Sequence, residues 1–167
     1  MSAAARGEGV TIRPIARTDL AAVAAMLRGL AEHVHPGMVP KADAESLDRY
    51  GPTGLGLFQA LIALRGDRPA GLCLYTYAFS GWRGRPGVYI EDLFVDPSER
   101  GSGLGRTLLA AALRREAANG CAFAKLEVDV ANDGAIAFYR HLGFTIVDDD
   151  HAMVLEPEAV EALLAEA

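Results

Sequence analysis

The sequence has no long hydrophobic run, only two cysteines and a single tryptophan among its 167 residues. The apolar stretch from Leu57 to Leu64, which Gln59 interrupts, is too short to cross a membrane. Residues 1–9 contain no apolar segment of the kind that a secretory signal requires. Cys73 and Cys121 form no CxxC motif. The sequence therefore predicts a cytoplasmic protein with two free thiols and no metal site.

Positive charge is also in short supply, because 16 lysines and arginines face 22 acidic residues and the net charge is −6. This balance argues against binding to nucleic acid and is compatible with a cationic substrate. The hydrophobic fraction of 51% and charged fraction of 23% are typical of a globular chain. We expect a flexible N-terminus over residues 1–9 and one domain over residues 10–167.

Apolar periodicity and turn residues predict a mixed α/β domain in which three consecutive strands precede a glycine-rich loop. The predicted strands are Val10–Pro14, Leu57–Leu64, Ala70–Phe79, Val88–Val95, Ala122–Val130, Phe144–Val147 and Ala152–Leu155, the last two as an antiparallel pair. The predicted helices run from Thr18 to His33, from Asp43 to Tyr50, from the glycine loop to Asn119 and from Asn132 to Leu142, with a short one from Pro157.

The glycine-rich loop lies between a predicted strand and a predicted helix. Its segment Arg100–Arg106 reads RGSGLGR, with three alternating glycines between two arginines. Backbone N–H groups of such a loop and the positive end of the helix dipole form a cradle for a phosphate group. Glycine permits positive φ and close backbone approach. The alternative is a turn that only reverses the chain. Neither a P-loop nor a complete GxGxxG motif is present.

The string R-x-x-G-x-G, from Arg100 to Gly105, resembles the acetyl-coenzyme A (acetyl-CoA) loop of the GNAT N-acetyltransferase superfamily. Tyr89–Val95, with its Glu-Asp pair, resembles a strand of the diamine acetyltransferase branch, which includes spermidine/spermine and thialysine acetyltransferases. Asn132–Gly143 resembles the family's later helix. The resemblance covers Val10 to Leu155. It implies a mixed, largely antiparallel sheet flanked by helices, and an acyltransferase of class EC 2.3.1.

The resemblance also implies how acetyl-CoA binds. The pyrophosphate would lie on the glycine loop, backbone groups of a splayed strand would hold the pantetheine arm, and the start of the later helix would line the other side. The implied cofactor-binding residues are Leu93, Phe94, Val95, Arg100, Gly101, Ser102, Gly103, Leu104, Gly105, Arg106, Asn132, Asp133, Gly134 and Ala135.

Two adjacent acids, Glu91 and Asp92, lie inside the apolar strand before the loop. An alkyl amine has a pKa near 10.4, so its deprotonation at pH 7 costs about 4.6 kcal/mol, and a positioned carboxylate can accept that proton. On a regular strand the two side chains face opposite sides. The resemblance assigns the base to Glu91 and leaves Asp92 to bind the substrate ammonium or an arginine. Alternatively, both are edge charges in salt bridges.

Tyr139 is the candidate donor to the leaving thiolate. It lies seven residues after Asn132, which places both within about 20° of one helix face, and the resemblance puts a general-acid tyrosine at this position. A tyrosine half-buried beside Phe138 is the alternative. The sequence has no GxSxG motif, and neither cysteine has an adjacent base that would make it a nucleophile. These features favour direct acetyl transfer to the amine.

The acceptor side is defined by Trp82, Asp92, Glu32 and His33. The face of Trp82 can hold an alkylammonium. The alternatives are that Trp82 packs at a turn and that Glu32 is a solvated charge at the end of a helix. Ser80 stands where polyamine-specific members would carry an acid, so the resemblance favours a diamine or lysine-like acceptor over long polyamines.

We expect an acetyl-CoA-dependent N-acetyltransferase that acts on the primary amine of a small molecule, namely a diamine, a polyamine or a lysine-like amino acid. We expect it to be a homodimer without nucleic-acid or membrane partners. The alternatives are acetylation of a protein lysine or N-terminus, and a non-catalytic acetyl-CoA-binding protein. The dimer follows from the resemblance and from the predicted C-terminal edge strand, which needs a cover.

Overall fold

Among the described residues, five strands follow one another across one open sheet in chain order. The first four pair antiparallel and the last joins in parallel. The strands are β1 (Val10–Pro14), β2 (Gln59–Arg65), β3 (Arg68–Ser80), β4 (Arg85–Val95) and β5 (Ala124–Leu126). This computed structural model describes residues 9–147 and 153–166. The predicted mixed, largely antiparallel sheet is confirmed.

Helices cover both faces of the sheet, because the central strands β2 and β3 are apolar on both sides. Helix α1 (Leu20–Val34) and the short helix α2 (Ala44–Tyr50) pack on one face. The buried residues that join these helices to the sheet are Leu20, Val23, Ala24, Met26, Leu27, Leu47, Ala60, Ile62, Leu72, Leu74 and Phe94. Helix α3 (Leu104–Ala117) covers the other face through Leu104, Leu108, Leu109 and Ala112.

A glycine in β3 allows α3 to approach the sheet closely. A Cβ atom at Gly71 would lie 2.8 Å from Leu108 Cδ1 and 2.9 Å from the carbonyl oxygen of Phe94. Further along the same helix, the fully buried carboxylate of Glu116 accepts hydrogen bonds from the hydroxyls of Tyr75 (2.6 Å) and Tyr77 (2.9 Å). The helix that follows the glycine loop is therefore joined to β3 at both ends.

The described residues fall into two compact units, one up to Asn132 and one from Asp133. The second contains α4 (Asp133–His141) and α5 (Pro157–Glu166). Gly143 adopts a φ of 95°, and the N–H of Phe144 donates to the carbonyl of Tyr139 at 3.0 Å, as at many helix C-termini. Glycine 143 thus follows the end of α4, as the sequence predicts.

Two of the predicted strand assignments are wrong. Phe144–Val147 is not extended in a strand and neither is 153–155, so the predicted antiparallel pair does not form within the described residues; Ala152 and the acidic turn Asp148–Asp150 lie outside them. A run of four apolar residues has too little periodicity to specify a strand, which also needs a partner backbone. Strand β5 is only three residues long, because its ladder with β4 ends at Ile90, where β4 becomes irregular.

Helix boundaries agree with the sequence to within a few residues. A 3-10 turn over Arg17–Asp19 precedes α1, so the regular helix begins at Leu20 rather than at Thr18. No helix within residues 9–147 and 153–166 has the length and apolar composition that crossing a membrane would require.

Candidate active site

The segment after β4 turns sharply before the glycine loop begins. Strand β4 ends at Val95, and the N–H of Asp96 donates to the carbonyl of Ala70 at 2.9 Å. The Asp96 carboxylate then accepts from the N–H of Ser98 at 2.9 Å and so caps a 3-10 turn over Pro97–Glu99. The loop therefore starts from a fixed position beside the first residues of β3.

A buried carboxylate, Glu99, anchors the loop to the rest of the sheet. Its two oxygens accept hydrogen bonds from Arg65 Nε (2.7 Å) and Arg65 Nη2 (2.6 Å), and Arg68 Nη2 donates to Oε1 at 2.6 Å. The hydrogen bonds from Arg65 are the main reason why the pKa of Glu99 lies below its ordinary value. The carbonyl of Glu99 accepts from Ser102 Oγ at 2.6 Å. One acid thus links β2, β3 and the glycine loop.

The glycine loop itself is exposed and open. Gly101 and Gly103 have φ values of 79° and 84°, and within the described part of the chain no atom other than those of adjacent residues lies within 4 Å of a Cβ built on either. Gly105, by contrast, lies inside α3 and is buried, and it does not use the positive φ that glycine permits. The side chains of Arg100 and Arg106 are exposed on either side of the glycines.

Helix α3 begins at Leu104 without a side-chain cap, because its N-cap is Gly103. The first N–H groups of a helix need partners that a side chain normally supplies. Here they lie at an exposed loop between two arginines, which is the arrangement that suits an anion. Leu104 is buried against β3, so this residue offers a ligand its backbone rather than its side chain.

A β-bulge at Glu91 interrupts the alternation of β4. Ile90 pairs with Tyr75 and Asp92 pairs with Leu74, which leaves Glu91 as the extra residue. Leu74 faces α1 in the core, so its partner Asp92 shares that face. Thr76, on the same face of β3 as Leu74, donates from Oγ1 to Glu91 Oε1 at 2.8 Å. The prediction of opposite faces is wrong, because the bulge turns both acids to one side.

The two acids have different environments. Glu91 is exposed, whereas Asp92 is half-buried. Burial, with a contribution from the charge of Glu91, raises the pKa of Asp92 to about 6. Burial is also the main reason why the pKa of the neighbouring Tyr89 rises to about 12. The site therefore contains a solvent-accessible carboxylate beside a second carboxyl that titrates close to neutral pH.

Strands β4 and β5 separate immediately before this bulge. Their parallel ladder ends at the pair of Ile90 with Leu126, while β4 continues to pair with β3 as far as Val95. From Glu91 to Val95, the edge of β4 that faces away from β3 therefore lies beyond the end of the β5 ladder. The side chain of Phe94 is buried against Gly29 of α1. Because the β5 ladder has ended, the backbone of Leu93, Phe94 and Val95 lies at this opening.

The remaining predicted site residues lie at the start of α4 or within it. Asn132 ends the first unit and directly precedes the helix, and Asp133, Gly134 and Ala135 form its first turn. Tyr139 lies about two turns after Asn132. Its ring lies 5.1 Å from that of Phe138 and 5.5 Å from that of Phe144. The tyrosine ring thus packs edge-on against two phenylalanines of its own unit.

The predicted acceptor residues are not all brought together. Trp82 lies in the turn between β3 and β4 and is fully exposed, so the alternative of packing at the turn is wrong. Arg85, the first residue of β4 after this turn, lies six positions before Glu91, which corresponds to about 20 Å along the strand. His33 lies near the end of α1 and lines a cavity with Asn132. Glu32, next to it, accepts from the N–H of Gly37 at 3.3 Å.

Comparison with known proteins identifies the family. The model of the acetyltransferase (GNAT) family matches residues 27–144. A thialysine N-epsilon-acetyltransferase from Bos taurus is 30% identical over 166 residues, which cover 92% of this chain and 96% of the relative. The chain belongs to the GNAT family of acetyltransferases. A mycothiol acetyltransferase from Streptomyces scabiei is 32% identical over 86% of this acetyltransferase, a match that spans 45% of that longer relative.

Solved structures share the fold. An integron cassette protein from the mobile metagenome of V. cholerae aligns with a TM-score of 0.77 at 19% identity, over 95% of this acetyltransferase and 99% of that chain. An aminoglycoside acetyltransferase from an uncultured soil metagenomic sample aligns with a TM-score of 0.71 at 23% identity, over 89% and 96% of the two chains. At these identities the likeness concerns the fold alone.

Sequence reasoning missed Glu99 and Thr76 as partners of the site. The partners of Glu99 lie 31 and 34 residues away, and no local pattern joins them. The bulge that brings Thr76 to Glu91 has no glycine or proline to mark it. Among the described residues, no group of three or more His, Cys, Asp or Glu side chains is arranged to hold a metal ion.

Proposed function

We propose that this acetyltransferase transfers the acetyl group of acetyl-CoA directly to a primary amine of a small molecule, with a diamine or a lysine-like amino acid as acceptor. The observation that carries the proposal is the exposed glycine loop and uncapped helix start that follow directly on a strand with a solvent-accessible carboxylate. The Bos taurus relative is named for the N-epsilon-acetylation of thialysine, which supports a lysine-like acceptor.

In this proposal the pyrophosphate of acetyl-CoA binds to the loop from Arg100 to Arg106. The edge of β4 beyond its last β5 pair offers backbone groups to the pantetheine arm. Glu91 accepts a proton from the acceptor ammonium, so that the neutral amine attacks the thioester carbonyl. Tyr139 then protonates the thiolate that leaves. Asp92 contributes negative charge beside the acceptor.

The test is to follow thiol release from acetyl-CoA with a panel of acceptors: a lysine analogue, a diamine, spermine and a lysine-containing peptide. We expect the lysine analogue to be acetylated with a higher kcat/KM than spermine, since Ser80 adds no charge for distal ammoniums. Activity confined to the peptide would favour a protein acetyltransferase, and a lack of thiol release with every acceptor would overturn the proposal.

Cofactor binding is tested separately by melting temperature, because a ligand that binds the native state stabilises it. Acetyl-CoA is expected to raise the Tm of the parent. Gly103→Val introduces a β-branched residue at a φ of 84°, so the variant's own Tm is the reference for its shift. An equal acetyl-CoA shift in both proteins would remove the glycine loop from the binding site.

We also propose a homodimer in the cytoplasm. Exposed aromatic side chains on the hairpin formed by β3 and β4, namely Tyr77, Phe79 and Trp82, support a second copy as partner. The free thiols of Cys73 and Cys121 support a reducing compartment. No contact with nucleic acid or membrane enters this proposal.

A further inference from the structure

A small open cavity lies between the end of α1 and the turn that follows β5. Its volume is about 190 Å³, several times the share of one water molecule in the liquid. It is lined by His33, Val34, Asp129, Ala131 and Asn132. The cavity is therefore large enough for one end of a small aminoalkyl chain.

The strand register indicates that this cavity lies beyond the end of the β4–β5 ladder, where the acid pair also lies. Asp129 follows the last ladder residue of β5, Leu126, by three positions, just as Leu93 follows its partner Ile90 on β4. Because the two strands are parallel, both segments leave the ladder in the same direction. Gly29 of α1 packs on Phe94, and His33 lies one helical turn further along the same face. The cavity thus borders the α1 face of the sheet, which Asp92 shares.

Asp129 provides a fixed carboxylate at this cavity. Its Oδ1 accepts a hydrogen bond from the N–H of Ala131 at 2.7 Å, which holds the side chain in place. Its Oδ2 lies 3.8 Å from His35 Nδ1, too far for a hydrogen bond. The side chain is 30% exposed, so this oxygen lies at a boundary between protein and solvent where a cationic group can reach it.

We propose that Asp129 binds a second ammonium group of the acceptor and so selects diamine-like amines over monoamines. The inference rests on the proposed function. It assigns the distal ammonium to a residue at the end of β5, whereas the reacting amine belongs at the acid pair of β4. A charge-assisted hydrogen bond at a partly exposed carboxylate corresponds to a preference of about tenfold in kcat/KM.

The test compares 1,5-diaminopentane with n-pentylamine as acceptors, because the two share one reacting end and differ in the distal ammonium. Asp129→Asn is the informative variant: its side-chain oxygen retains the ability to accept the Ala131 N–H, while the charge is lost. Glu45→Gln, an exposed acid in the first turn of α2, is the matched control for the loss of one negative charge.

We expect the parent and Glu45→Gln to prefer the diamine by about tenfold. Asp129→Asn is expected to lose this preference through a higher KM for the diamine, with kcat/KM for the monoamine, Tm and the acetyl-CoA shift in Tm unchanged. An unchanged preference, or an equal loss with both amines, would overturn the role of Asp129 while the proposed function stands. Absence of thiol release from the parent with every amine would overturn both.

Discussion

At the scale of single residues, our proposal makes Glu91, in the β4 bulge, the group that accepts the proton of the acceptor amine. Glu91→Gln is expected to lower kcat by about 10²- to 10⁴-fold, the usual contribution of a general base. The affinity for acetyl-CoA should stay near normal, because the base acts on the acceptor. Steady-state kinetics together with the acetyl-CoA shift in Tm measure these two quantities separately.

Asp92→Asn is the matched comparison, since Asp92 shares the face of Glu91 and its pKa is raised to about 6. If Asp92 were the base, this variant would lose as much turnover as Glu91→Gln and the acidic limb of kcat/KM near pH 6 would disappear. We expect a smaller loss, seen mainly as a higher KM for the amine.

Tyr139→Phe isolates one hydroxyl. The ring contacts with Phe138 and Phe144 survive the substitution, so the Tm should hardly change. If this hydroxyl protonates the leaving thiolate, kcat falls by about 10²- to 10⁴-fold. The same kcat in the variant and the parent would remove Tyr139 from the reaction, and a large loss of Tm would instead indicate a structural hydroxyl.

At the scale of elements, the glycine loop depends on an acid that contacts no ligand in our proposal. Glu99 holds the loop to β2 and β3 through Arg65 and Arg68. Glu99→Gln keeps the shape but removes the charge that both guanidinium groups share. We expect the KM for acetyl-CoA to rise by about tenfold, while kcat at saturating acetyl-CoA and the KM for the amine change little.

The pH dependence of the anchor follows from the sign of its shift. The pKa of Glu99 is lowered in the folded protein, so its stabilisation is present above the ordinary glutamate range and is lost as the pH falls through the folded value. The acetyl-CoA shift in Tm should therefore persist in mildly acidic buffer for the parent. Glu99→Asp, which retains the charge on a shorter stem, serves as the control. An unchanged KM for acetyl-CoA in Glu99→Gln would contradict the anchoring role.

At the scale of the whole molecule, the exposed hairpin predicts association. The turn with Trp82 lies about 20 Å along β4 from Glu91, so a role for Trp82 at an acceptor requires the site of a second copy. Light scattering at micromolar concentration should give twice the mass of 17.7 kDa. Trp82→Ser is expected to weaken the dimer and to leave the Tm of the separated chain unchanged. A monomer in the parent would contradict this prediction.

Much of the fold was accessible from the sequence, and the reasons are local. Three long apolar strands in succession and capped helices such as α2, where Asp43 and Ser46 cap one another, carry strong periodicity and turn signals. The C-terminal strands were predicted from short apolar runs alone, and they do not form in the described residues. A strand depends on a partner backbone, which its own residues do not encode.

The candidate site likewise combines features that contiguous residues encode with features that depend on residues far apart in the chain. The family can be recognised from R-x-x-G-x-G and the acid pair, because these residues are contiguous and their chemistry is local. Three other features became known only from the folded chain: a bulge turns Glu91 and Asp92 to one face, Arg65 and Arg68 anchor the loop, and Asp129 borders the cavity at the end of α1. Each of these depends on residues far apart in the chain, and their proximity is set by strand register and helix packing rather than by neighbouring side chains.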